Sequence, residues 1–328
     1  MEIKKHFIEY LFENKKSVKI DEACDFLKID VRDLVDICKE LLDLGVKIDI
    51  NKDLGLITLD SKEGFDELLT NALICSDLYE ITFFYQLQSS NTYILENCER
   101  LKAGTVCVAL NQTAGRGRHD RSFYSYDGGL YFSLLLKFDS FELANKKYDL
   151  TFFTCASAIA LAQALRSTLG VKAVIKWVND IYIEGKKVAG ILAESRTDTN
   201  GKINLALGVG VNLMPVTFSE DLIETANFIT DKTVSKEVVL ANTLENLEII
   251  LCDMTRSEIL KKYRELMYLK CKKVILHNLY NESEKEVQVL GVNKHLKLVV
   301  REGIKIYTIT NEEIKMKVKW WELALHVG

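Results

Sequence analysis

The sequence has little proline, no surplus of basic charge and no ordered cysteine pattern. One proline in 328 residues, with 48% hydrophobic and 27% charged residues, excludes a collagen-like or mainly disordered chain and leaves a sizeable core to bury. Forty-three Lys and Arg against forty-seven Asp and Glu give a formal net charge of −4, which excludes a protein-wide basic field for nucleic acid but not a local patch. The eight cysteines contain no C-x-x-C pair, so a disulfide scaffold is not expected and a reducing cytoplasm fits. The start, MEIKKHFIEYLFENKK, returns to charge before any apolar stretch long enough for a signal peptide or bilayer span, which predicts a cytoplasmic protein with no membrane partner. There is also no internal repeat, heptad tract or low-complexity tail.

At roughly 100 to 200 residues per domain, the length predicts two or three domains. Apolar positions at helical spacing over 3–12, 21–28 and 34–44 predict three short helices, the third capped by Asp30 and ended by Gly45. VKIDINKDLGLITL, residues 46–59, alternates around a turn near Asp53 to Gly55. The first 62 residues are therefore either a winged helix-turn-helix module or a helical docking domain. Arg32 and Lys39 face five acids between Asp30 and Asp43, and residues 1–60 carry ten basic against fourteen acidic side chains, a surface that repels phosphates unless the acids point away.

A polar junction, DSKEGFDELLTN, precedes a second domain, expected over 78–270. YEITFFYQL, TVCVALNQ and LYFSLLLKF read as strands and LTFFTCASAIALAQALRSTLG as a long helix. Residues 235–270 read as helical, and 271–328 as a small β-domain. The fold class is α+β.

Three segments concentrate polar groups and glycine. QTAGRGRHDR, residues 112–121, combines Gly115 and Gly117 with Arg116, Arg118 and Arg121, a loop suited to an anion or a solvated basic turn. It matches neither a Walker loop nor the G-x-G-x-x-G fingerprint. VIKWVNDIYI sets Lys176, Asn179 and Asp180 inside an apolar pattern, followed by GKKVAGILAE with Lys187; an ordinary hairpin explains the glycine and lysines, a phosphate-bearing ligand with a divalent ion explains the polar set. LALGVGVNLM carries Gly208, Gly210 and Asn212, either a pocket or a close strand contact.

Taken together from SSNTYIL at Ser89 to about residue 214, these motifs closely resemble the biotin-protein ligase family, and the whole chain resembles its bifunctional ligase and biotin-operon repressor arrangement. The resemblance implies an N-terminal winged helix, a central mixed-sheet catalytic domain and a small SH3-like end. It implies ATP and Mg2+ as cofactors, biotin as substrate, and formation of biotinyl-5'-AMP followed by transfer to a lysine of the biotin carboxyl carrier protein of acetyl-CoA carboxylase. Under it, Ser89, Ser90, Asn91 and Gln112 serve the biotin pocket with backbone from Gly115 and Gly208, and Phe123 stacks on the adenylate. Lys187, Arg116 and Arg118 carry the reacting charge, Asn179 and Asn212 help place the nucleotide, Lys176 supplies another positive contact, and Asp180 supports Mg2+ or the adjacent phosphate network. His119 is assigned a solvated hydrogen-bonding role, and Cys107 and Cys155 are read as buried small residues.

The chain departs from the family in carrying Val178 where Pro is common, Phe123 where Trp is frequent and Ser90 where Thr is frequent. Operator DNA binding and ligand-linked homodimerisation belong to the resemblance, and the acidic third helix counts against the former. Three alternatives stay open: a ligase whose N-terminal module no longer binds DNA, a non-catalytic biotin-sensing regulator, and a lipoate or octanoate transferase.

Overall fold

The computed structural model describes residues 2–62, 64–74, 76–118, 121–125, 127–139, 148–215, 227–278, 283–309 and 314–318. The chain opens with α1 (Glu2–Glu13), β1 (Ser17–Lys19), α2 (Ile20–Leu27), α3 (Val31–Asp43), β2 (Lys47–Asn51) and β3 (Leu56–Asp60). Asp30 caps α3 by accepting from the backbone N–H groups of Arg32 at 2.8 Å and Asp33 at 2.9 Å, satisfying donors the first helical turn leaves orphaned. The three strands pair antiparallel in the order β1-β3-β2, so the β2–β3 hairpin forms the wing of a winged helix-turn-helix. Phe7, Ile8, Leu11, Leu34 and Leu41 are fully buried in its core, each contributing about 1.5–3 kcal/mol by leaving water.

The stretch expected to be a polar junction contains a helix instead, α4 (Glu67–Leu73), capped by Asp66. Its Leu69, Ala72 and Leu73 complete the N-terminal core together with Val238 and Ala241. Apolar residues here sit among acids, and the helix is stabilised by what it packs against more than by its own length.

The central domain follows with β4 (Glu80–Leu87), α5 (Ser90–Asn97), β5 (Thr105–Gln112), β6 (Gly129–Asp139), α6 (Leu150–Leu169), β7 (Val174–Lys176), β8 (Asp180–Ile183), β9 (Lys186–Thr197), β10 (Lys202–Asn212), α7 (Lys236–Cys252) and α8 (Arg256–Leu266). Its seven-stranded sheet runs β4-β5-β6-β10-β9-β8-β7; β4 and β5 are parallel and the other pairs antiparallel. Successive side chains go to opposite faces. Val106, Leu134, Leu205 and Leu207 join α6 and α7 in the main core, whereas Cys107, Leu135 and Ala206 meet Ile94 and Cys98 from the α5 side. Among the described residues one helix, α6, is long and apolar enough to cross a membrane. Its thirteen buried residues instead form the centre of the fold.

The chain ends in a five-stranded antiparallel sheet of β11 (Lys273–Asn278), β12 (Glu284–Val292), β13 (Leu298–Glu302), β14 (Lys305–Ile309) and β15 (Ile314–Val318), ordered β14-β13-β12-β11-β15. Its Val274, Val289 and Val300 are continuous with the main core, and the Trp177 indole donates to the Leu296 carbonyl at 3.0 Å. The fold class is the α+β, three-part arrangement expected.

The N-terminal module is joined to α7 by more than apolar contact. Lys5 pairs with Glu245, Glu237 accepts from Asp66 N at 2.9 Å and from Ser235 Oγ at 2.8 Å, and Lys232 lies 4.0 Å from Glu13. Burial at this joint pushes the Glu9 carboxyl up to about 8, with Glu13 and Glu237 adding to the rise and a backbone hydrogen bond at Ser235 opposing it. An acid whose folded pKa exceeds its unfolded one takes up a proton on folding, so its contribution is full below the usual glutamate value of 4.5 and is lost as pH rises through the folded value. Thermal unfolding should therefore show Tm falling between about pH 5 and pH 8, and Glu9→Gln should flatten that fall; the same slope in the variant would contradict the assignment.

Candidate active site

Register builds the site. One cross-strand row on the α5 face of the sheet runs Lys176–Asp180–Gly190–Gly210–Tyr131. The next runs Leu192–Gly208–Ser133, and the third Glu194–Ala206–Leu135. Residues opposite one another in an antiparallel pair share a face, so three glycines, Gly190, Gly208 and Gly210, clear one continuous floor. For Gly208 and Gly210 the sequence left a pocket or a close strand contact open; in the structure the chain's own side chains stand over them. A Cβ at Gly208 would lie 2.3 Å from Asn91 Oδ1, and one at Gly210 would lie 2.5 Å from Phe123 Cε1.

The polar half of the floor is a hydrogen-bonded chain beginning at α5. Ser89 caps that helix, accepting from Thr92 N at 3.4 Å. Gln112 Oε1 accepts from Ser90 N at 2.8 Å and lies 3.1 Å from Ser90 Oγ, while Gln112 Nε2 donates to Ser125 Oγ at 2.9 Å. Ser133 Oγ reaches Ser90 Oγ at 2.7 Å and Asn91 Oδ1 at 2.6 Å. Asn91 Nδ2 donates to the Leu192 carbonyl at 3.1 Å and to Glu194 Oε2 at 2.9 Å. Ser89, Ser90, Asn91 and Ser133 are all buried, and their mutual bonding offsets the cost of burying them.

The charged half lies beside it. Arg116 pairs with Glu194, and Gly117 N donates to Arg121 O at 2.6 Å, folding the loop back on itself. Gly115 needs to be small, because a Cβ there would lie 2.3 Å from the Phe123 carbonyl. Arg118 donates toward Asn179 Oδ1 at 3.5 Å; Asn179 in turn donates from Nδ2 to the Ile191 carbonyl at 3.0 Å. Lys187 Nζ lies 2.6 Å from Asp180 Oδ1, with the lysine one-third exposed, so its ammonium is oriented yet reachable. Lys176 Nζ donates to Tyr182 OH at 3.1 Å at the sheet edge, where burial, helped by Asp180, pushes the phenol above its usual range. Asn212 donates from Nδ2 to the Asn227 carbonyl at 3.3 Å, and among the described residues its buried Oδ1 finds no donor.

The structure thus gathers Ser90, Asn91, Gln112, Gly115, Arg116, Arg118, Phe123, Asn179, Asp180, Lys187 and Gly208 around one floor, with Ser89 supporting its helix, Lys176 at the edge and Asn212 at the end of β10. His119 and Asp120 lie outside the described residues. Cys107 and Cys155 are fully buried, and burial pushes the Cys107 thiol up to about 12 and that of Cys155 higher still, so neither supplies a thiolate nucleophile. Sequence reasoning missed Ser133 and Glu194. A serine inside the buried run LYFSLLLKF and the two-residue step from Gly190 through Leu192 to Glu194 were the available signals. As a Mg2+ ligand, Asp180 offers hard oxygens already engaged by a lysine, and no group of three metal-binding side chains occurs among the described residues. A lone carboxylate is what a Mg2+ that keeps most of its other ligands from elsewhere would need from the protein.

Residues 83–212 match the Biotin/lipoate A/B protein ligase family, a span from within β4 to the last residue of β10. The chain is 33% identical over 128 residues to the bifunctional ligase/repressor BirA of Escherichia coli (strain K12), covering 39% of this chain and 38% of that protein. It is 33% identical over 167 residues to BirA of Bacillus subtilis (strain 168), covering 50% and 47%. The matched stretch therefore spans less than half the length of these relatives. A biotin protein ligase from Aquifex aeolicus, solved in complex with biotin and ATP, superposes with a TM-score of 0.63 at 24% identity, covering 73% of this chain and 99% of that one; this likeness shows the fold.

The crowding of Asn91 over Gly208 gives a direct test. Gly208→Ala should destabilise by about 1–3 kcal/mol through overpacking, and Asn91→Ala in the same chain should recover part of that loss, because contacting sites are not additive. Strictly additive Tm changes would show that Asn91 does not stand on Gly208.

Proposed function

The chain belongs to the Biotin/lipoate A/B protein ligase family, and from that premise we propose that it is an ATP-dependent biotin-protein ligase acting on the biotin carboxyl carrier protein of acetyl-CoA carboxylase. The observation that carries the proposal is the single floor shared by a buried amide-and-hydroxyl cluster and the Lys187, Arg116 and Arg118 cations. A neutral ring with donors and acceptors suits the first half, and its carboxylate would lie toward the second.

In the first step a biotin carboxylate oxygen attacks the α-phosphorus of ATP, the bond to the β-phosphate oxygen breaks, and pyrophosphate leaves with the electron pair. In the second, the carrier lysine amine attacks the acyl carbon, the bond to AMP breaks, and the amine loses a proton. Ser90, Gln112 and Asn91 orient the ring system, and Ser89 holds the helix presenting them. Asn179 and Asn212 place the nucleotide, Phe123 supplies a ring for stacking, and Lys176 adds a peripheral cation. Lys187 offsets charge gathering on the reacting oxygens, held for that purpose by Asp180. Fixed charges aimed where negative charge develops, together with positioning, supply the rate without a covalent enzyme intermediate. Mg2+, when bound with ATP, would neutralise phosphate charge next to Asp180.

Full-length protein incubated with biotin, MgATP and a carrier domain should transfer biotin to the carrier lysine. Lys187→Ala should lower the rate about a hundredfold or more, the range seen for lost electrostatic stabilisers, while leaving Tm nearly unchanged. Neither adenylate nor transfer from the native chain would favour the biotin-sensing alternative, and equal use of lipoate would favour the transferase.

For the N-terminal module, the winged helix supports operator binding and ligand-linked homodimerisation, as in the repressor arrangement. The exposed stripe of α3 counts against it: Arg32, Asp36, Lys39 and Asp43 lie along one exposed face, and Lys39 Nζ is held by Asp36 at 2.8 Å. The favoured reading is a ligase whose module no longer grips operator DNA. A salt titration of DNA binding, with and without biotin and MgATP, should show no sequence preference; a specific site bound in either state would restore the repressor.

A further inference from the structure

Glu194 touches both halves of the floor. Its carboxylate is one-fifth exposed and divides its oxygens between two elements: Oε1 takes the Arg116 guanidinium and Oε2 accepts from Asn91 Nδ2 at 2.9 Å. Asn91 continues through Ser133 and Ser90 to Gln112. An unbroken path of polar contacts thus joins Gln112 to the arginine loop. Glu194 holds this place because β9 alternates: Gly190 and Leu192 precede it on the same face, and its partner across the ladder is Ala206, small enough to leave the carboxylate room.

We propose that Glu194 is a positioning residue that fixes Arg116 at the edge of the pocket and couples its placement to Asn91; the inference rests on the ligase reading above. A free arginine at this half-exposed position samples many rotamers, and holding it loses side-chain entropy. With one Nη engaged by Glu194, the other donors of the planar fork remain for an anionic oxygen. The same contact, as a partly exposed ion pair, contributes little to folding. Its effect therefore belongs to the reaction, where a displacement of about an ångström in a charged group can alter rate by two orders of magnitude.

The test compares Glu194→Gln and Glu194→Ala in the full chain, measuring biotin affinity without nucleotide, kcat and KM for MgATP in adenylate formation, and Tm. Glu194→Gln keeps an acceptor of the same reach and should retain biotin affinity with kcat lowered several-fold. Glu194→Ala should lower kcat about tenfold or more while biotin affinity changes much less, because Asn91 keeps its bonds to the Leu192 carbonyl and Ser133. Wild-type kcat in both variants would overturn the proposal, as would a loss of biotin affinity equal to the loss of kcat, or equal losses in the two variants matched by lowered Tm. A native chain that forms no adenylate would instead bring down the ligase reading, and this inference with it.

Discussion

The placement of β10 between β6 and β9 is the constraint from which the site follows. Eleven consecutive residues of β10 are paired to β6, from Lys202 opposite Asp139 to Asn212 opposite Gly129, and nine are paired to β9. Because side chains alternate with a period of two, a slip of one residue would exchange every core side chain for a site-facing one. Leu205 and Leu207, buried under α6 and α7, forbid that slip. In the only register they allow, Gly208 and Gly210 face α5 beside Gly190, Ser133 and Tyr131. The hydrophobic core thereby decides where the polar floor can be.

The same register arranges charge. The cations of the site are each held by a group of the chain itself: Lys187 by Asp180, Arg116 by Glu194, Lys176 by Tyr182. The two carboxylates offset the charge of Lys187 and Arg116, and all three contacts set the directions of the cations in advance. The wider acidity is concentrated in the N-terminal module, where it bears on DNA rather than on ATP.

Much of this was legible in the sequence, and what was not has a common cause. The strands 105–112 and 129–139 and the helix 150–169 were read to within a residue or two, since their apolar runs and caps are local signals. The glycine segment was found as well, as either a pocket or a close strand contact, whereas Asn91 and Phe123 come from 80 or more residues away to stand on it. Glu194 was passed over because its partners, Arg116 and Asn91, are brought to it only by the sheet. The helix at Glu67–Leu73 was read as a polar junction because its stabilising surface belongs to α7, far along the chain. Local pattern reveals which residues are unusual; long-range pairing decides what each one meets.

Isotope exchange between pyrophosphate and ATP reads out whether the floor activates a carboxylate with ATP. Reversal of adenylate formation should return labelled pyrophosphate to ATP only when biotin is present, in the absence of any carrier protein and with little exchange when lipoate replaces biotin. Exchange that is absent with biotin, or equally fast without it, would show that the floor does not carry out biotin adenylation.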